Sequence, residues 1–518
     1  MIRHVRVPCT RFPQCVLRLR SVARPVTQLW CRNPSYRPHP PLPLPLMGRH
    51  GWNSGARRWR LTALLGVGAV ALALVVTLIS TLPGESRGST VGTTPDGDKV
   101  HGTPAVPSGR AEPEVGWGFT HTQYSADHGE AAAVQRAQKL LSRQPMPQIQ
   151  HIMGWGAGNP EPTKGRYDFG EMDRRLDFIR ATGGTPVVTL CCAPDWMKGG
   201  KPGADNTDWS KQALETAPDR AHYKDFAKLA ATVAKRYPDV RHFIVWNEFK
   251  GFWNDSEGRW DYEGYTELYN LVYEELKKID EDILVGGPYL VMDSVDPRQQ
   301  NASSALTGDW GALDQRVLDA FAYWNKNKAG ADFVVVDGSS YTVDDELVPD
   351  EFKATDKLTA VSRWVRQQTG DLPLWWAEYY VEPGDDDDER DGWSEPHRIA
   401  VHASGLIAMA RGGATSAFYW NPQKRGATCP GCLWRSTHLS DGGTALPMLG
   451  LLSRFAKEFP PGTTYEKVSV AADDVPHVRV LADDQAVLVV NTLDRQISTK
   501  VDGKQFKMAA YEVRWLKR

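Results

Sequence analysis

Residues 221–248 read AHYKDFAKLAATVAKRYPDVRHFIVWNE. The stretch from Ala221 to Arg236 is amphipathic and is predicted to be a helix, with Asp219 as its candidate N-cap. A polar turn follows, and then the short β-branched and aromatic run from His242 to Trp246, which reads as a buried strand. That run stops abruptly at Asn247 and Glu248. Helix, turn, apolar strand and polar residues at the strand's carboxyl end form the repeating unit of a parallel α/β protein.

The same unit recurs on both sides. Strands are predicted at Val115–Thr120, Ile149–Gly154, Pro186–Cys191, His242–Trp246, Ile283–Gly287, Asp332–Val336, Pro373–Ala377 and Thr415–Trp420, which makes eight. Helices are predicted between and after them, at Met172–Ala181, Ala221–Arg236, Tyr265–Ile279, Ala312–Asn327, His397–Arg411 and Leu446–Glu458 among others. Eight such units over residues 113–460 fit a (β/α)8 TIM barrel. A doubly wound sheet is disfavoured, because the glycine cluster Gly154, Gly156, Gly158 does not follow the first strand and Asn159 stands where a third fingerprint glycine would fall. Residues 461–518 lose the helical period and read as a small C-terminal β-sandwich packed on the barrel, completed by strands from near residue 112.

Residues 1–60 carry twelve arginines and no acidic residue, so the rest holds 49 basic against 63 acidic side chains, a balance of −14 that argues against a nucleic-acid partner. Leu61 to Leu82 is 22 residues without a charge, long enough to span a bilayer, and Arg57, Arg58 and Arg60 before it predict a cytoplasmic N-terminus. The reading is a single transmembrane helix at 61–82, a basic leader at 1–60 whose true start is a candidate Met47, and a Gly/Ser/Thr/Pro-rich tether at 83–112. The catalytic part would then be extracellular, anchored in the cell membrane, or secreted if the anchor is cleaved. Cys191, Cys192, Cys429 and Cys432 lie in the exported part, where Cys429 and Cys432 are a candidate disulfide.

In a barrel of this kind the site lies at the carboxyl ends of the strands. Glu248 follows strand four and Glu378 ends strand seven. Cleavage of a glycosidic bond with retention needs two carboxyls, one acting as acid and then base, the other as nucleophile. A solvated carboxylate is the bland reading of either residue alone; two on these strands favour catalysis. Trp196 after strand three and Trp420 with Asn421 after strand eight are candidate stacking walls for a sugar ring, and His121 after strand one is a candidate hydroxyl contact. The acidic run Asp385–Asp391 reads as a solvated loop rather than a calcium site. No cofactor or metal is predicted, since the thirteen histidines show no H-x-H or H-E-x-x-H spacing.

Trp246-Asn247-Glu248 and Glu378 resemble the catalytic signature of glycoside hydrolase clan A, and the trailing β-domain is most like family 39, the β-xylosidase and α-L-iduronidase family. The segment from Glu161 to Phe169 is also similar to the clan's sequence after strand two. The resemblance implies Glu248 as acid/base, Glu378 as nucleophile, Asn247 as a hydrogen-bond partner of the sugar 2-OH, Tyr341 as the phenol that holds the nucleophile, and an aromatic floor such as Trp420. Ser339 departs from the family, where a histidine often stands two residues before that tyrosine. Trp246 and Phe249 are expected to desolvate the acid. The expected function is a retaining hydrolase of β-linked glycosides, xyloside-like or from envelope polysaccharide. Its rivals are a catalytically silent glycan-binding barrel, which has no need of both glutamates, and a transglycosylase acting on envelope polysaccharide.

Overall fold

The computed structural model describes residues 115–298, 303–384, 392–420 and 422–518. Eight parallel strands close into a barrel: β1 (Trp117–Thr120), β2 (Gln148–His151), β3 (Pro186–Leu190), β4 (His242–Val245), β5 (Leu284–Val291), β6 (Phe333–Asp337), β7 (Leu374–Tyr379) and β8 (Ala414–Tyr419). Each is paired with its neighbours in sequence, and β1 closes on β8 through Trp117 and Ala417. The eight helices that alternate with them are α1 (Ala131–Leu141), α2 (Gly170–Ala181), α3 (Tyr223–Arg236), α4 (Tyr262–Ile279), α5 (Gln315–Asn327), α6 (Asp356–Thr369), α7 (Glu395–Gly412) and α8 (Pro447–Glu458).

Two apolar layers follow from the strand period of two. Ile149, Val187, Ile244, Val335, Trp375 and Phe418 fill the barrel interior. Their neighbours in sequence, such as Val188, Phe243, Val245, Val334, Val336 and Trp376, face the helices. Helix α3 answers with Tyr223, Phe226, Ala227, Ala230 and Val233, a stripe at helical spacing. Gly286 on β5 is dictated by packing, because a Cβ there would stand 2.2 Å from the Phe333 ring.

Several ends differ from expectation. The predicted helix at Ala221 begins as a 3-10 turn, Arg220–His222, and Asp219 makes no side-chain cap bond there. The predicted helix start at Ala312 is a short strand, Gly311–Leu313, so α5 begins at Gln315 with Asp314 as its cap. Caps do operate on α4, where Asp261 accepts from Gly264 N, and on α7, where Ser394 accepts from His397 N.

After α8 come β9 (Val478–Ala482), β10 (Ala486–Asn491), β11 (Ile497–Val501), β12 (Lys504–Met508) and β13 (Val513–Lys517). β9, β10 and β13 form one antiparallel sheet, and β11 with β12 forms a hairpin. Asp502 and Gly503 turn that hairpin with φ of 45° and 76°, as a two-residue turn of matching twist requires. On β10, Val487 and Val489 face an apolar layer shared with the hairpin, while Leu488 and Val490 join the layer under the barrel helices. Arg411 of α7 donates to Val480 O, tying this sheet to the barrel. The segment predicted as a β-sandwich forms these two sheets.

Among the described residues no helix is long and apolar enough to cross a membrane; the predicted span Leu61–Leu82, the tether and the strands expected near residue 112 lie outside the described residues. So do the acidic run 385–391 and Asn421.

Candidate active site

The carboxyl ends of β4, β6 and β7 bring together three buried acids. One carboxylate oxygen from each of Glu248, Asp337 and Glu378 lies within 4.8 Å of those of the other two. Asp337 keeps the inward alternation of Val335 on β6. Glu378 lies in a stretch where the pairing of β7 with β8 shifts register, between Trp376 and Tyr379, and such an irregularity re-aims a side chain. Glu248 is presented by a turn in which Trp246, Glu248 and Phe249 all have positive φ, of 66°, 53° and 54°.

The flanking aromatics have contacts of their own: Trp246 packs against Phe226 and Phe252 and donates its indole N–H to Lys250 O, and Phe249 stacks on Tyr265 at 4.0 Å. A lysine faces Glu248. Lys250 Nζ donates to Glu248 Oε1 at 3.0 Å and to Asn247 Oδ1 at 3.3 Å, and Asn247 Nδ2 donates to Glu248 Oε1 at 3.3 Å. Burial works against the lysine's charge, but Glu248, Glu215 and Glu378 outweigh it and hold its pKa above the usual value.

Glu378 receives two phenols. Tyr289 of β5 donates to Oε1 at 2.5 Å and Tyr380, just past β7, donates to Oε2. Burial and then Glu378 raise both phenol pKa values well above the ordinary one, so both remain donors. The clan resemblance implies this part for Tyr341. Tyr341 is half-buried beyond β6, and its carbonyl accepts from Ser339 Oγ at 2.8 Å and Lys357 Nζ at 3.4 Å.

Around the acids stand His151, Trp155 and Trp420, with His151 4.7 Å from Trp155 and 6.3 Å from Trp420. The Lys250 ammonium lies 5.2 Å over the Trp155 ring and joins this aromatic group to Glu248. Trp196 sits farther out in the β3 loop, its indole donating to Glu161 O and its edge on His222. His121 is fully buried with its ring nitrogens on Ser125 Oγ and Gln148 Oε1, and burial, followed by Arg175, lowers its pKa to about 4. Both nitrogens are engaged within the protein, so the expected hydroxyl contact has no atom to make it; the site's buried imidazole is His151. Cys429 and Cys432 are joined as expected, and Cys191 is also joined to Cys192.

Asp337, Lys250, His151, Trp155 and Tyr289 were missed as site residues. Four of them lie at or just beyond strand ends and Tyr289 lies near the end of β5, which is the one signal that pointed to them, but nothing in the local sequence separates them from rim packing.

Residues 158–396, which include Glu248, Asp337 and Glu378, match the profile of glycosyl hydrolases family 39. That segment is most like family 39 of the glycosyl hydrolases. The chain is a glycosidase. Among solved structures, a family 39 glycoside hydrolase from the gut symbiont Bacteroides cellulosilyticus WH2 is 15% identical with a TM-score of 0.50, over 78% of this chain and 82% of that one. A monomeric β-xylosidase from Caulobacter crescentus CB15 is 18% identical with a TM-score of 0.45, over 74% of each chain. A family 30 endoxylanase from Clostridium papyrosolvens C71 is 13% identical with a TM-score of 0.44, over 75% of this chain and 84% of that one. At 15% identity the likeness to the Bacteroides structure is one of fold. No curated protein matches the chain.

Proposed function

We propose that the chain hydrolyses β-linked glycosides with retention, with Glu378 as nucleophile and Glu248 as acid/base. The observation that carries this is the approach of their oxygens to within 4.8 Å. Retaining sites hold the two carboxyls about 5 to 5.5 Å apart, whereas inverting sites open to about 6.5 to 9.5 Å to admit a water.

In this reading Glu378, held by Tyr289 and Tyr380, attacks the anomeric carbon while Glu248 gives its proton to the leaving oxygen. Glu248 then takes a proton from the water that breaks the glycosyl ester, and two inversions leave the configuration unchanged. Asn247 hydrogen-bonds the group on the sugar's 2-position. Trp420, Trp155 and Trp196 are stacking faces for the sugar, and Tyr341 lines the same mouth. The substrate is an oligo- or polysaccharide, xyloside-like or from the cell envelope. Anchoring by residues 61–82 with an extracellular catalytic part belongs to the same proposal, and the two disulfides of the barrel support an oxidising compartment.

The test is azide rescue. The full chain in detergent should cleave an activated aryl β-glycoside, Glu378→Ala should be inactive, and added azide should restore turnover and give the glycosyl azide of inverted configuration. Rescue through Glu248→Ala with a retained azide product assigns the acid/base. Rescue of neither variant, with wild type active, would overturn these roles.

A further inference from the structure

Of the three central acids, one is left unsatisfied by the fold. Glu378 is held by two phenols and Glu248 by Lys250 and Asn247, but both carboxylate oxygens of Asp337 are buried with no hydrogen-bond partner, and the residue is 0% exposed. Carboxylates are not normally buried this way unless something pairs with them. Burial first, then Glu378 and Glu248, push the Asp337 pKa well above the carboxylate range. Four acids, Glu248, Asp293, Asp337 and Glu378, act on this place against two ammonium groups, Lys250 and Lys357.

A second orphan faces the same space. His151 is 0% exposed and both ring nitrogens lack a partner. Its charged form is suppressed by burial and by Lys250, against the pull of Glu248, which brings its pKa to about 3 and keeps the imidazole neutral. Once Asp337 is ionised, three of these four unmet atoms are acceptors, its two oxygens and one nitrogen of the neutral imidazole, and a cation bound beside Asp337 supplies the charge that holds it ionised. A ligand that satisfies them brings several donors and a positive charge, as an ammonium with three N–H groups does and a hydroxyl with one O–H does not.

We propose that Asp337 selects glycosides carrying a free, protonated amine on the carbon next to the anomeric centre, the 2-amino-2-deoxy-β-glycosides. This deepens the hydrolase reading and rests on Glu378 being the nucleophile. A nitrogen about 2.8 Å from each of two carboxylate oxygens bridges them when they are up to about 5.6 Å apart, so an ammonium fits between Asp337 and Glu378. The group on C2 is one bond from the carbon that Glu378 attacks, which puts it there. The charge also has a chemical use. An ammonium on C2 opposes the positive charge that develops at C1 in the transition state, and a fixed carboxylate on that ammonium offsets the opposition.

The test compares kcat/KM of the full chain on 4-nitrophenyl 2-amino-2-deoxy-β-D-glucoside and galactoside with the 2-hydroxyl and 2-acetamido counterparts, for wild type and Asp337→Asn. Wild type should favour the free amine by about tenfold or more, and the amine-to-hydroxyl ratio should collapse toward one in Asp337→Asn. Asp337→Ser serves if the Asn variant does not fold. A ratio of one or below in wild type, or one unchanged in the variant, overturns the inference and makes Asp337 a neutral acid that donates to a hydroxyl. If wild type cleaves none of these, tryptophan fluorescence is titrated with glucosamine hydrochloride and with glucose at equal ionic strength. Amine-selective quenching that is lost in Asp337→Asn would uphold the selection of an amine while the hydrolase reading fails. Equal response to both sugars would overturn it.

Discussion

The ammonium of Lys250 lies 3.0 Å from Oε1 of Glu248, two residues back along the same turn. It is a positive charge in direct contact with an acid of the Glu248, Asp337 and Glu378 cluster, and it is nearly as buried as they are. Lys250→Met should lower kcat/KM by about 10²-fold, and Lys250→Gln, which keeps a donor without the charge, by less. Because the lysine's pKa is raised above its unfolded value, its stabilising effect is complete below about pH 10.5 and is lost only as pH rises through the folded value. Lys250 itself therefore does not titrate below that pH, but its charge favours ionisation of Glu248, so the alkaline limb set by that acid should move to higher pH in Lys250→Gln. A limb that stays in place in the Gln variant contradicts this.

Tyr289 and Tyr380 grip opposite oxygens of Glu378. Tyr289→Phe and Tyr380→Phe should each reduce kcat by about 10- to 100-fold with little change in thermal midpoint, because a Phe ring fills the same volume. The double variant should fall short of the product of the two, since the donors share one acceptor group. Full kcat in either single variant would show that the phenol is only a packing group.

His242, on β4, is buried beside Trp375, and burial, with Arg241 adding to it, lowers its pKa from 6.5 to about 4. Below pH 6.5 the unfolded chain binds a proton there that the folded chain refuses, so stability falls as pH drops from about 6.5 to 4, by up to about 1.4 kcal/mol per pH unit. His242→Gln cannot take up that proton. The difference in unfolding free energy between wild type and variant should therefore move in the variant's favour as pH falls across this window. A difference that stays flat with pH would disprove the assignment.

Arg398 of α7 and Glu382, just past β7, form a buried two-pronged pair at 2.6 and 2.7 Å. Arg398→Met strands the Glu382 charge and should cost about 3 to 5 kcal/mol in urea unfolding. Adding Glu382→Gln should recover part of that loss. If the single variant costs less than about 1 kcal/mol, the pair is not closed in solution.

The barrel was legible because its signal is repetition: each of eight apolar runs is followed by an amphipathic stretch, and errors of two or three residues at an end do not alter the count. The hairpin β11–β12 was not, since its strands ISTKV and KQFKM carry little apolar alternation and depend on the shared layer with β9 and β10. Glu248 and Glu378 were legible because a glutamate directly after an apolar strand is conspicuous. His121 misled for the same reason, as a strand-end position says nothing of whether Ser125 and Gln148 will enclose the ring.

Sequence alone determined the parallel α/β class, the eight units and the two glutamates at strand ends, because periodicity and strand-end polarity are local properties of a chain. Tertiary structure decided which side chains meet. Asp337 is separated from Glu248 by 89 positions and from Glu378 by 41, and only closure of the barrel brings their oxygens within 4.8 Å. The same closure set Tyr289 on Glu378 and left Asp337 and His151 without hydrogen-bond partners for their polar atoms. Such proximity depends on strand order, stagger and burial, which no window of sequence contains.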